Sequence, residues 1–245
     1  MIDGLGQTLR SGVHSKRGNM QGVIGLRSAR LWLAALLALA VVGCASVEPP
    51  ELRRLPERVE LNGVPFFRGN ANQSGPQVLA SMFGEQRIRI TPGLLLKPLK
   101  LPGAEASLQD NMQQLAAGYG LLVYPLDTSL SALLAQVAAG YPVMLRFSDG
   151  TVWSEPRYAM LVGYNRTKHT VLLRAGMERR RLMDFNKFES AWKDAGGWAV
   201  LILSPEQLPA NVDKARWLKA ANDLSRSGQE QAGARAVKAL ESSGK

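Results

Sequence analysis

The stretch "GNANQSGPQVLASMFG", Gly69–Gly84, decides how this chain is read. Its first half is small and polar and reads as a turn. Its second half is apolar and reads as a helix. Pro76 suits a first helical position, where its missing N–H costs nothing, and Gly84 suits the end. Ser74, just before Gly-Pro, is placed as an N-cap whose hydroxyl can satisfy an orphan helix N–H. Upstream, "VELNGVPFF", Val59–Phe67, reads as a strand leading into the turn.

Downstream, "SLQDNMQQLAAGYG" reads as a second helix, with Ser107 as its cap and Leu108, Met112, Leu115 and Ala116 at helical spacing. "LLVYPL" is a short strand and "SLSALLAQVAAG", Ser129–Gly140, a third helix. Strands follow. "YPVMLRF" is a compact apolar run, and "RYAMLVGYN" and "TVLLRAG" flank "RTKH" as a hairpin would. "MDFNKFESAWKDAGG" reads as a helix and "WAVLIL" as the last strand. Helices first and antiparallel strands later predict an α+β domain, not an alternating parallel sheet. From Leu208 to Lys245 the pattern is again helical, in two amphipathic segments about "SRSGQ". The pair resembles one tetratricopeptide unit, with Trp217 and Leu218 near its start. One unit cannot bury its own face, so it must pack on the main domain or on a partner.

Four blocks in order carry a family resemblance. "VPFFRGNANQSGPQVLAS", "ASLQ", "GLLVYPL" and "RYAMLVGYN" are similar, without gaps inside each block, to segments of the papain-like bacteriocin-processing cysteine peptidases (family C thirty-nine). The likeness is to a lipoprotein branch with a tetratricopeptide tail and covers roughly residues 59–208. It implies helices packed on an antiparallel sheet in the papain-like manner, followed by a short C-terminal helical hairpin.

Residue by residue, the resemblance also implies a lost active site. The nucleophile slot holds Ser74, not cysteine. The base slot, opening the "RYA" strand, holds Arg157, and a guanidinium has a pKa above about 12 and no acceptor. The oxyanion slot holds Gly69, with no side-chain amide, although backbone N–H groups after Ser74 could still serve. The orienting slot near Arg174–Gly176 is taken by Ala175, and no carboxylate stands there. A hydroxyl without a base is a poor nucleophile. His169, the only histidine beyond the leader, falls in the hairpin turn, and no lysine is placed to form a dyad with Ser74.

The beginning of the chain reads differently. Arg27 and Arg30 precede the apolar run "LWLAALLALAVV", Leu31–Val42, which Gly43 and Cys44 follow. A basic flank and a short apolar core make a secretory signal, too short to span a bilayer well. "VVGC" resembles a lipobox, which implies acylation of Cys44; Ala45 in place of aspartate then favours the outer membrane, facing the periplasm. Met20 as the start gives the more usual signal length. Residues 1–43 are thus read as leader, 44–58 as a tether, 59–208 as the peptidase-like domain and 209–245 as the helical hairpin.

Composition narrows the rest. Of the formal charge of +10 on 245 residues, the leader holds five basic residues and one acid, leaving +6 beyond it. The basic residues are scattered apart from "ERRR", Glu178–Arg181, so nucleic acid is not an expected partner, and solvated surface is the expected state of that run. Cys44 is the only cysteine, which excludes disulfides and Cys/His metal sites once it carries lipid. No cofactor and no metal is expected. The reading is an inactive peptidase-like lipoprotein of the cell envelope that binds a peptide or envelope protein through its cleft. Two alternatives stand beside it: a hydrolase using Ser74, and an adaptor acting through the tail, whose removal would leave the domain folded.

Overall fold

The computed structural model describes residues 50–70, 73–148 and 156–243. The apolar run, the lipobox and Cys44 lie outside the described residues. No helix among the described residues is long and apolar enough to cross a membrane.

Seven strands form one antiparallel sheet: β1 (Arg58–Glu60), β2 (Leu122–Pro125), β3 (Val143–Phe147), β4 (Arg157–Asn165), β5 (Thr170–Ala175), β6 (Glu178–Asp184) and β7 (Ala199–Leu203). The order is β2-β7-β3-β4-β5-β6. The long β4 serves two partners. Residues 157–161 pair with β3, and residues 163–165 pair with β1. A register shift against β5 falls between them, at Leu161/Gly163. Gly163 is required there, because a Cβ would stand 2.6 Å from the Val59 carbonyl oxygen of β1.

The helices, in chain order, are α1 (Pro50–Arg53), α2 (Ser74–Glu85), α3 (Pro92–Leu95), α4 (Leu108–Gly118), α5 (Leu130–Ala138), α6 (Phe185–Asp194), α7 (Lys214–Arg226) and α8 (Glu230–Ser243). Strand alternation sends neighbouring side chains to opposite faces and so makes two cores. Met144, Tyr158, Met160, Val162, Val200 and Ile202 face α2, α3 and α4. Val143, Leu145, Ala159, Leu161, Leu173 and Leu201 face α5, α6 and the tail helices. The expected α+β architecture, helices on an antiparallel sheet with a C-terminal helical hairpin, is what the chain forms.

Helix α2 is buried from Ser74 through Phe83. That explains why its sequence is apolar nearly all round instead of on one stripe. Its polar Ser81 is satisfied within the helix, the hydroxyl donating to the Gln77 carbonyl at 2.9 Å. Gly75 lets α4 come close, since a Cβ there would meet Leu108 at 2.9 Å and Met112 at 3.2 Å.

Ser129 caps α5, accepting from the Ala132 N–H, and Asp184 caps α6, accepting from the Asn186 and Lys187 N–H groups, whereas Ser107, read as a cap, stands at the N-cap position of α4 without a side-chain cap hydrogen bond. Three expectations need correction. The strand read over Val59–Phe67 shrinks to β1, because the chain turns at Asn62–Gly63 and Pro65 has no N–H to give a ladder. Ser74 is not an N-cap; Gln73 occupies that position, and Ser74 is already helical. Met183 and Asp184, read as the start of a helix, end strand β6, to which the exposed run Glu178–Arg180 also belongs. Within the segment read as a tether, α1 is folded and its Leu52 is buried.

The tail packs on the main domain. Trp217 is fully buried in the core shared with the sheet, its ring 6.1 Å from that of Tyr124, its Nε1 donating to the Ala236 carbonyl at 2.8 Å. The Gln136 carboxamide both donates to and accepts from the Ala210 backbone at 2.9 Å, and the Asp213 N–H donates to the Tyr124 hydroxyl at 3.0 Å.

Candidate functional site

The first turn of α2 meets the start of β4. Ser74 is buried, 4% exposed, and its Oγ accepts the Tyr158 backbone N–H at 3.1 Å. That contact places Ser74 against the backbone of the residue that follows Arg157. Ser74 has no other hydrogen-bond partner among the described residues. The hydroxyl is used here as an acceptor that ties the first turn of α2 to β4.

Arg157 opens β4 opposite Phe147 of β3. By strand parity its side chain lies on the face of Ala159 and Leu161, away from α2. It is half-buried, and its Nε has no hydrogen-bond partner among the described residues. Ala175 lies on that same face: it is buried in the core with Ala159 and ends β5 opposite Glu178. Arg157 and Ala175 therefore share one face of adjoining strands.

His169 sits in the β4–β5 turn with φ of 49°, its ring edge-on to Phe185 at 6.0 Å. Seven residues of β4 separate Tyr158 from Asn165 at the turn, roughly 23 Å at about 3.3 Å per residue. His169 cannot reach Ser74. No group of His, Cys, Asp and Glu among the described residues is arranged to hold a metal.

The fourth position holds a residue that sequence reading missed. The Gly69 N–H donates to the Gly176 carbonyl at 3.3 Å, so the turn is pinned to the end of β5. A Cβ on Gly69 would lie 1.6 Å from Nε2 of Gln77. Gln77, in the first turns of α2, is 4% exposed, and its Oε1 has no hydrogen-bond partner among the described residues. A carboxamide thus stands at the Gly69 position, but it comes from the helix. The signal was in the quoted stretch, where a carboxamide follows Pro76 inside a largely apolar helix.

The site is tightly filled. Phe66, Phe67, Gln77, Val78, Ser81, Met160, Arg174 and Gly176 line a crevice between α2 and β5 that is too narrow to admit a water-sized sphere. Tyr158 is packed edge-on against Trp198 at 5.8 Å, and burial pushes its phenol pKa up. Among the described residues no side chain that could act as a base is hydrogen-bonded to Ser74.

No family model matches the chain, and no curated protein does. Among solved structures it is similar to a C thirty-nine-like peptidase from Bacillus anthracis, at 16% identity and a TM-score of 0.49, over 60% of this chain and 98% of that one. It is also similar to the peptidase domain of Streptococcus ComA, a bifunctional ABC transporter of a quorum-sensing pathway, at 15% identity and a TM-score of 0.43, over 56% and 96%. A third is Xylellain, a cysteine protease from Xylella fastidiosa, at 14% identity and a TM-score of 0.38, over 64% and 89%.

Proposed function

We propose that this chain is a catalytically inactive, cysteine-peptidase-like lipoprotein of the bacterial envelope, anchored through Cys44, that binds a peptide or protein segment. The observation that carries this reading is the hydrogen bond from the Tyr158 N–H to Ser74 Oγ. It uses the hydroxyl as a structural acceptor at the place where a peptidase of this kind needs an activated nucleophile. Arg157, which opens β4 next to Tyr158, cannot take a proton, and Ala175 cannot orient one. The frame is kept by different chemistry: Gly69 pinned to Gly176, Ser74 to Tyr158, and Gln77 packed against the turn.

Loss of catalysis does not remove the use of such a frame. A strand end beside a helix N-terminus can still hold an extended peptide through main-chain hydrogen bonds. Lipid on Cys44 would keep that frame at the outer membrane.

Labelling of the purified protein with a serine-reactive fluorophosphonate, read by mass spectrometry beside Ser74→Ala, tests the inactivity. The expected result is no adduct at Ser74. An adduct confined to Ser74 returns the hydrolase reading. Palmitate incorporation in cells, lost in Cys44→Ser, tests the anchor.

A further inference from the structure

The run "ERRR" is not simply a solvated surface. It lies on β6, at the edge of the sheet, beside β5. Its three arginines have different surroundings. Arg181 pairs with Glu178 at 2.9 Å and lies over the Phe147 ring. Arg180 is bonded through both terminal nitrogens to Glu60 of β1, which also takes Arg58 at 3.4 Å. Arg179 is exposed and has no ion pair among the described residues.

Next to them is a buried cation. Arg174 on β5 is 4% exposed. Its Nη2 donates to the Leu61 and Asn62 carbonyls at 3.0 and 3.3 Å, while its Nη1 is buried with no hydrogen-bond partner among the described residues. No carboxylate among the described residues forms an ion pair with it. Glu60, Asn62, Leu172, Arg174, Arg179 and Arg180 line one pocket of about 280 Å³. The pocket therefore holds three guanidinium groups against one carboxylate, and that carboxylate is shared with a fourth.

We propose that this pocket binds a small oxyanion of the phosphate class, held between Arg174 of β5 and Arg179 and Arg180 of β6. A guanidinium presents its donors in a planar fork that matches phosphate oxygens, and such charge-assisted bonds are the strong ones. A buried guanidinium with an idle donor is unfavourable unless an anion completes it. The electrostatics point the same way. Burial first, then the nearby Arg179, lowers the Arg174 pKa, with Arg180 adding to this and Glu85 and Glu60 opposing it. An anion in the pocket offsets both repulsions. The inference is independent of whether Ser74 is reactive.

The test is calorimetric titration of the full-length chain, in detergent, with inorganic phosphate, and in parallel flotation with vesicles of phosphatidylglycerol mixed with phosphatidylcholine. The variant is Arg179→Gln/Arg180→Gln, at exposed positions. Lys187→Gln/Lys238→Gln removes the same charge elsewhere and is the control. Phosphate binding with a Kd on the order of 1 mM or tighter, weakened at least about tenfold in the arginine variant but not in the control, supports the site with free phosphate as ligand. Vesicle binding alone, lost only in the arginine variant, supports it with a lipid headgroup as ligand. Equal loss in both variants, no loss in either, or no binding of either probe overturns it.

Discussion

Ser74 and Tyr158, 84 positions apart, are joined by a buried hydrogen bond in which the tyrosine N–H donates to the serine Oγ at 3.1 Å. The bond fastens the first turn of α2 to the first residues of β4, the two elements whose junction defines the site. Ser74→Ala leaves that N–H without an acceptor in a place water does not reach. The expected loss is about 1–3 kcal/mol of folding stability. Urea unfolding of the wild type and variant measures it. A loss near zero would mean that the bond is not maintained in solution.

Gly69 and Gln77 should behave as one unit. A side chain at 69 and the present carboxamide at 77 claim the same space. Gly69→Ala must push a buried amide out of its packed position, an overpacking change that costs about 1–3 kcal/mol. In the Gln77→Ala background the space is free, so the same substitution costs less. A double-mutant cycle should return a coupling of about 1 kcal/mol or more. Additive losses would show that Gln77 does not depend on the glycine.

The relation between Gly69 and Gln77 also marks the limit of what the chain's sequence reveals. Apolar runs and turn residues located six of the seven strands and the main helices, because alternation and helical spacing are local signals. β6 was hidden because its residues 178–182 are exposed or half-buried, so no hydrophobic alternation betrays it; it is held by the β5 ladder. The juxtaposition of Ser74 with the start of β4 was legible from the order of the sequence blocks. The acceptor role of its hydroxyl was not, since it depends on which way one N–H points across 84 residues. Nor could spacing show that a glycine at 69 makes room for a glutamine eight residues later.

The tail should prove part of the fold and not a detachable adaptor. Trp217 has no exposed surface, stands against Tyr124 and bonds to Ala236. Trp217→Ala should lower stability by about 3–5 kcal/mol. Deleting residues 209–245 strips α7 from the edge strand β2 and removes the partner of Gln136 at Ala210. The remaining domain should then unfold at lower urea, with loss of cooperativity. A truncated protein with the urea midpoint of the full chain would restore the adaptor reading.

Two carboxylates should respond to pH in opposite directions. The Arg180 guanidinium, hydrogen-bonded to Glu60, holds that carboxyl below its ordinary range against the opposing effect of burial. Folding therefore favours the ionised form; its contribution is present above the ordinary glutamate value and is lost as pH falls through the depressed one. Glu85 is the reverse. Burial raises its pKa, and the charge of Arg174 only partly offsets this. Folding favours its protonated form, so that contribution is full below the ordinary value and is lost as pH rises through the raised one. At about pH 7 Glu60→Gln should thus destabilise the protein, while Glu85→Gln should stabilise it. Below the ordinary glutamate value, at about pH 4, both differences should shrink. Urea midpoints of the two variants at the two pH values decide the matter. A Glu85→Gln variant that is less stable than the wild type near neutrality would mean that its attraction to Arg174 outweighs its desolvation.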